Sequence, residues 1–179
     1  AHEQTMIPGM ANRVIARFAD QLAVTFPESS ALFSHPQLSV IGNAVRPTVL
    51  NQDLQTPTWY HNPKKLPILL ILGGSQGSQA FNAVMVELLP QLLGKWYIVH
   101  QLGNPDGSKA DDVLATLRAQ AKQHEHYVCS AWLSAEEMYW LFRHDARVVS
   151  RSGANTVYEL ALTHTPAVLI PLPHSVHGE

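Results

Sequence analysis

The stretch LPILLILGGSQGSQAFNAVM, residues 66–85, decides the fold. Its apolar run, 66–72, is too short to span a membrane and is typical of a buried strand in a parallel sheet. The run stops at Gly73 and Gly74, and a helical spacing of apolar residues begins soon afterwards. Backbone N–H groups at such a strand-to-helix turn bind anions, and glycine allows close approach. The loop is therefore either an anion site or a tight turn without a ligand.

Strand-like and helix-like segments alternate from residue 66 to the end of the chain. This alternation predicts an α/β fold with a parallel sheet and right-handed crossovers. Ser134 is the predicted N-cap of one of the helices. The apolar residues Phe81, Val84, Leu88 and Leu92 are predicted to share one face of another. The predicted strands are 66–72, 95–101, 126–132, 147–151 and 166–171, and the predicted helices are 75–93, 109–123, 134–144 and 153–164.

The first 65 residues have a different organisation. The patterns predict a helix over 10–20, a strand over 21–26, a loop with two prolines over 27–37, and a second strand over 38–46 that runs into a turn. Residues 46–65 are polar, contain proline, and read as a connector between two structural units.

Composition excludes some functional classes. The chain has 179 residues and a net charge of −2, so it carries no basic footprint for nucleic acid. Its one cysteine, Cys129, cannot form an internal disulfide, which fits a reducing compartment such as a cytoplasm. Because the chain opens without methionine and stops straight after a strand-like segment, we expect it to be a piece of a longer protein.

A second strand-to-helix turn occurs in SRSGANTVYELA, residues 150–161. Asn155 and Thr156 lie in the first helical turn, and Glu159 follows one turn later. A carboxylate at Glu159 is suited to accept two hydrogen bonds from a vicinal diol such as ribose, or else it is a solvated acid favoured by the helix dipole. Both loops follow the carboxyl ends of predicted strands, where ligands bind in open α/β sheets, so we expect a shared crevice.

Six segments together resemble the MurG family, the UDP-N-acetylglucosamine:lipid-linked muramyl-pentapeptide N-acetylglucosaminyltransferases of cell-wall synthesis. They occur in the family's order with similar spacing and cover most of the chain. The combination of GGSQG with RSGA-x-T-x-x-E about eighty residues later is specific. The segments are HEQTMIPGMANR (2–13), AVTFPES (23–29), GNAVR (42–46), GGSQGSQAFN (73–82), RSGANTVYELA (151–161) and PAVLIPLPH (166–174).

The resemblance implies a Rossmann-like parallel sheet and, in part, the glycosyltransferase B (GT-B) arrangement of two facing domains. Residues 1–45 would be the end of the N-terminal acceptor domain with the crossing. Residues 46–179 would be most of the C-terminal domain that binds UDP-N-acetylglucosamine (UDP-GlcNAc).

The resemblance also implies site residues. Ser75 and its loop would hold the donor diphosphate, with Arg46 as a cation near the phosphates; a surface charge is the alternative for Arg46. A backbone group of Leu133 would meet the uracil, although Leu133 also reads as a core residue, and Glu159 would bind the ribose hydroxyls. Thr5 stands where the family has asparagine near the sugar or acceptor. The full implied set is Thr5, Arg46, Gly74, Ser75, Gln76, Gly77, Leu133, Ala154, Asn155, Thr156 and Glu159.

The implied reaction is inverting transfer of N-acetylglucosamine from UDP-GlcNAc to the muramyl C4 hydroxyl of lipid I, which gives lipid II. Its catalytic base is expected N-terminal to this chain. We expect no cofactor and no metal, since no D-x-D pair is present and His174 and His177 read as loop histidines. The family implies peripheral contact with the cytoplasmic face of the bacterial inner membrane. The alternatives are a non-catalytic UDP-sugar-binding fragment and a UDP-GlcNAc epimerase-like protein.

Overall fold

The computed structural model describes residues 1–74, 78–103 and 108–171. The chain divides into two compact units, one formed by Ala1–Val45 and one that begins at Arg46. Each unit contains its own parallel sheet. The two units are described separately below.

The first unit is a small three-stranded parallel sheet in the order β1-β2-β3. Its helices differ from the predictions. The predicted helix over 10–20 ends at Ile15, where the Arg17 and Phe18 N–H groups bond to carbonyls only three residues back, as in a 3-10 turn. The predicted loop after 26 contains a helix, since Pro27 at its first position has a φ already suited to a helix. The elements are β1 His2–Glu3, α1 Met10–Ile15, β2 Leu22–Val24, α2 Pro27–Ser30 and β3 Leu38–Val40.

A buried carboxylate, Glu3, organises the loop between β1 and α1. Its Oε1 accepts from the Thr5 N–H at 2.9 Å and the Thr5 hydroxyl at 2.8 Å. Its Oε2 accepts from the Gly9 N–H at 3.1 Å and the Asn12 amide at 3.0 Å. Burial alone raises the pKa of Glu3, but these hydrogen bonds outweigh burial and hold its pKa below the ordinary value of a glutamate.

Glu3→Gln is therefore expected to lower the free energy of unfolding by about 1–2 kcal/mol at pH 7. A group with a lowered pKa stabilises the fold above its unfolded pKa, and that contribution is lost as the pH falls through the folded pKa. The difference between wild type and variant should then shrink from pH 7 to pH 3 in urea denaturation. The exposed Glu28→Gln change in the same unit should stay within about 0.5 kcal/mol. Equal losses at both pH values would contradict the role of Glu3.

The second unit contains a five-stranded sheet in the order β6-β5-β4-β7-β8, parallel throughout. The predicted parallel α/β fold is confirmed. The central strand is the apolar run after Pro67, and all five of its residues are buried. The strands are β4 Ile68–Leu72, β5 Tyr97–Gln101, β6 Tyr127–Ser130, β7 Arg147–Arg151 and β8 Ala167–Ile170, and the helices are a 3-10 helix Pro47–Leu50, α3 Gln79–Leu92, α4 Ser108–Gln123, α5 Ala135–Arg143 and α6 Ala154–Leu162.

Helix α3 begins at Gln79, later than predicted. The Ser78 hydroxyl caps its start by accepting from the Phe81 N–H at 3.3 Å. The predicted face with Phe81, Val84, Leu88 and Leu92 is confirmed, since all four line one groove, although Val84 and Leu88 are 51% and 40% exposed. This apolar groove has a volume of about 520 Å³. The buried residues of α3 are Phe81, Asn82, Met85 and Leu89.

The predicted connector over 46–65 packs on α5. The Trp59 indole N–H donates to the Glu137 carboxylate, near the start of the helix. The Arg143 guanidinium, near its end, donates to the Val49 carbonyl at 2.7 Å. The predicted Ser134 N-cap is confirmed and forms a complete capping box with Glu137. Both ends of α5 are therefore held by the connector.

Candidate functional site

The candidate site lies at the carboxyl edge of the second unit's sheet. Gly74 follows β4, Leu133 follows β6, and Gly153 follows β7. Because all the strands are parallel, these loops emerge at the same edge. The loop after β4 and the loop after β7 come from neighbouring strands.

The glycine loop leaves β4 with Gly74 in the left-handed region, at a φ of +86°. A Cβ added at Gly74 would meet open space, so glycine is required there by its backbone conformation and not by crowding. Gly74 is exposed. The other predicted residues of this loop, Ser75, Gln76 and Gly77, lie outside the described residues.

Gln101, the last residue of β5, links two of the predicted loops. Its amide nitrogen lies 3.4 Å from the Gly74 carbonyl, and its amide oxygen accepts from the Leu133 N–H at 3.4 Å. Both bonds are long, so each is weak. Gln101 is not among the residues predicted from the sequence. The signal for it was a polar residue at the end of an otherwise apolar strand that runs beside the central one.

Leu133 is buried, as expected for a core residue, with only 3% of its surface exposed. Its backbone N–H points to Gln101. The loop that carries it connects β6 to α5, and its Ser130 hydroxyl donates to the Trp132 carbonyl at 2.7 Å. Leu133 is thus linked to β5 by one long hydrogen bond to Gln101, and the turn before it is closed by the Ser130–Trp132 bond.

The second predicted loop enters α6 at Gly153, and no side chain caps that helix. Ala154, Asn155 and Thr156 form its first turn, as predicted, and Asn155 is exposed. The N–H groups of a first turn point out of the helix and carry the positive end of its dipole. This turn lies at the same edge of the sheet as Gly74.

Glu159 is buried, with 4% of its surface exposed, so the alternative of a solvated acid is wrong. The Tyr139 hydroxyl of α5 donates to Glu159 Oε1 at 2.6 Å. This distance is typical of a charge-assisted O–H···O⁻ bond. Tyr139 is not among the residues predicted from the sequence, because nothing in the local pattern of α5 distinguishes it from the buried residues around it.

Arg46 is exposed and immediately precedes the 3-10 helix. Burial raises the pKa of the Tyr139 phenol, and the hydrogen bond and charge of Glu159 raise it further, while the positive charge of Arg46 opposes the rise. Two of the predicted residues, Glu159 and Arg46, thus act on the pKa of the same phenol in opposite directions.

Thr5 belongs to the first unit. Its hydroxyl lies 2.8 Å from Glu3 Oε1 and 2.8 Å from the Ile7 carbonyl. A hydroxyl donates only one proton, so these two acceptors share it. In this structure the Thr5 side chain therefore forms hydrogen bonds within the loop between β1 and α1.

Within residues 1–74, 78–103 and 108–171, no group of three or more His, Cys, Asp and Glu side chains is arranged to hold a metal. His174 and His177 lie outside these ranges. In the same part of the chain, no helix combines the length and the apolar character that crossing a membrane requires.

Comparison with known proteins identifies the family. Residues 68–179 match the glycosyltransferase family 28 C-terminal domain. The chain is 33% identical, over 97% of its length, to a UDP-N-acetylglucosamine–N-acetylmuramyl-(pentapeptide) pyrophosphoryl-undecaprenol N-acetylglucosamine transferase of Trichodesmium erythraeum, of which it covers 43%. A second transferase of this name, from Bacillus anthracis, is 33% identical over 96% of the chain, which covers 46% of that protein.

A solved structure agrees with these relatives. The crystal structure of Acinetobacter baumannii MurG resembles 99% of this chain with a TM-score of 0.59 and 26% sequence identity, and the chain covers 46% of it. The chain thus spans less than half the length of the relatives it matches. The predicted Rossmann-like fold class and the resemblance to the MurG family are confirmed. On these grounds the chain belongs to glycosyltransferase family 28 and carries the C-terminal domain of that family.

Proposed function

We propose that the protein transfers N-acetylglucosamine from UDP-GlcNAc to the muramyl C4 hydroxyl of lipid I, with inversion, in peptidoglycan synthesis. Residues 46–179 form most of its donor-binding domain, and residues 1–45 end its acceptor domain. The observation that carries the proposal is the shared carboxyl edge of the sheet, where Gly74, Leu133 and the first turn of α6 meet in a family 28 domain.

The proposed roles follow from the chemistry of these groups. The N–H groups of the loop at Gly74, the Ser75 hydroxyl and the Arg46 guanidinium stabilise the charge that builds on the β-phosphate as UDP leaves. A guanidinium suits this task because it offers two parallel donors to a phosphate. Glu159 accepts the ribose hydroxyls, and a backbone group of Leu133 meets the uracil. The base that deprotonates the acceptor hydroxyl comes from the acceptor domain.

The partners of the proposed reaction place the protein at the cytoplasmic face of a bacterial inner membrane. Lipid I is tethered there by its undecaprenyl chain, so the enzyme must reach the membrane surface to meet its acceptor. The names of the relatives support this proposal, since they contain pyrophosphoryl-undecaprenol. We assign the peripheral contact to the acceptor domain.

Transfer of labelled N-acetylglucosamine from UDP-GlcNAc to a lipid I analogue by the full-length protein tests the function. Lipid II analogue and UDP in equal amounts are the expected products. Conversion of UDP-GlcNAc to UDP-N-acetylmannosamine, with no UDP released, would instead show the epimerase alternative. Tight binding of UDP-GlcNAc without either product would show a non-catalytic binding protein.

Glu159→Gln is expected to weaken UDP binding about tenfold, because a neutral amide accepts weaker hydrogen bonds from ribose than a carboxylate does. Calorimetric titration of the full-length protein measures this loss. Binding of 2′-deoxy-UDP should fall much less, since one of the two hydroxyl partners is already missing. An equal loss for both nucleotides would mean that Glu159 does not contact the ribose 2′-hydroxyl.

A further inference from the structure

We propose that Tyr139 is a positioning residue that holds Glu159 in the orientation in which it accepts the ribose hydroxyls, and that it thereby sets a preference for ribonucleotides over 2′-deoxyribonucleotides. This inference rests on the proposed function, in which Glu159 contacts ribose. It adds a residue of α5 whose own side chain does not touch the ligand.

The first support is the geometry of the pair. Tyr139 is fully buried, and its hydroxyl donates to Glu159 Oε1 at 2.6 Å. A carboxylate has about four lone-pair positions, so this bond leaves about three for a ligand. A glutamate side chain that is free to rotate loses up to about 2 kcal/mol of conformational entropy when it is fixed. The bond from Tyr139 fixes Glu159 before the nucleotide arrives.

The second support is the rigidity of Tyr139 itself. Its ring packs edge-on against Phe142, with centroids 5.9 Å apart. Helix α5 is held at its start by the Trp59–Glu137 bond and at its end by the Arg143–Val49 bond. Tyr139 lies between these two anchors. The connector that begins with Arg46 therefore also fixes, through α5, the residue that orients Glu159.

The third support is that the phenol stays a donor. Burial and the neighbouring carboxylate raise the pKa of Tyr139, so its hydroxyl remains protonated throughout the physiological range. The carboxylate can only accept when ionised, so the direction of the bond is fixed. A donor of fixed direction selects one orientation of the carboxylate.

Tyr139→Phe in the full-length protein tests the proposal, since it removes only the hydroxyl. We expect UDP binding to weaken about fivefold and 2′-deoxy-UDP binding to change less than twofold, measured by calorimetric titration. In the transfer assay the donor KM should rise with little change in kcat, because ribose is bound equally before and during the reaction. In the Glu159→Gln background, adding Tyr139→Phe should have less than a twofold effect on UDP binding, since the two residues act as one unit.

The matched control is Tyr127→Phe, which removes another buried phenol hydroxyl, one that lies 3.1 Å from the His100 ring and outside the site. It should leave the preference for UDP over 2′-deoxy-UDP unchanged, even where it lowers stability. If Tyr139→Phe weakens the binding of UDP and of 2′-deoxy-UDP equally, or changes the binding of neither, Tyr139 is a structural residue and the inference is wrong. If the wild type binds UDP and 2′-deoxy-UDP equally, the proposed role of Glu159 fails first, and the inference fails with it.

Discussion

Removing the side-chain donors of Arg46 and Ser75 together is expected to weaken UDP binding about a hundredfold, or about 2.7 kcal/mol. A hydrogen bond from a guanidinium to phosphate contributes about 1.5–3 kcal/mol, and a neutral hydroxyl contributes about 1 kcal/mol. Arg46 is exposed, so its truncation to alanine leaves no cavity. The Arg46→Ala/Ser75→Ala protein should therefore remain folded while it loses its side-chain hydrogen bonds to the diphosphate of UDP.

Uridine provides the ligand control for this experiment, because it has the base and ribose but no phosphate. The double variant should bind uridine as the wild type does, measured by the same calorimetric titration. Arg147→Ala provides the protein control, since Arg147 is an exposed arginine at the amino end of β7, the opposite end from the loops. If the double variant binds UDP with an affinity within twofold of the wild type, the proposed diphosphate site is wrong.

The second large effect concerns His100, which is fully buried in β5. Its Nδ1 lies 3.1 Å from the Tyr127 hydroxyl, and its Nε2 has no partner among the residues that the structure describes. Burial lowers its pKa from 6.5 to about 4. As the pH falls, the unfolded chain therefore binds a proton at His100 before the folded chain does. The contribution of neutral His100 to the free energy of unfolding is present above pH 6.5 and is lost as the pH drops toward 4.

Between pH 7.5 and pH 5, protonation of His100 in the unfolded chain is expected to lower the free energy of unfolding by about 2 kcal/mol. Between pH 7.5 and pH 4 the expected loss is about 3 kcal/mol. Urea denaturation at pH 7.5 and 5 measures the first of these losses. His100→Gln cannot titrate, so its stability should change about 2 kcal/mol less across the window. The exposed His61→Gln should behave as the wild type does. A His100→Gln variant with the full wild-type acid sensitivity would contradict the prediction.

Local sequence patterns predicted the second unit's elements closely. The run 66–72 contains β4, which begins two residues later, at Ile68, and the predicted strand 147–151 is β7 without any change of bounds. These predictions worked because a buried parallel strand must be apolar throughout, and because turns after it need small or polar residues. The predictions for the first unit were poorer. Its strands have two or three residues each, too few for periodicity to define.

The candidate site was predictable in part. The two strand-to-helix turns are local features, and a parallel sheet necessarily brings them to one edge. The burial of Glu159 was not predictable, because a glutamate in the second turn of a helix is usually solvated. Nor was the buried face of α3, since both stripes of that helix contain apolar residues and only packing against the sheet decides between them.

The sequence by itself determined the parallel α/β sheet, the glycine turn at its central strand and the family, because each depends on residue types in a short span or in a fixed order. Only the tertiary structure decided that Gln101 links Gly74 to Leu133 and that Tyr139 holds Glu159. The residues of each pair lie 20 or more positions apart along the chain. Their contacts arise from how strands and helices pack, and periodicity within one element carries no information about a hydrogen bond to another.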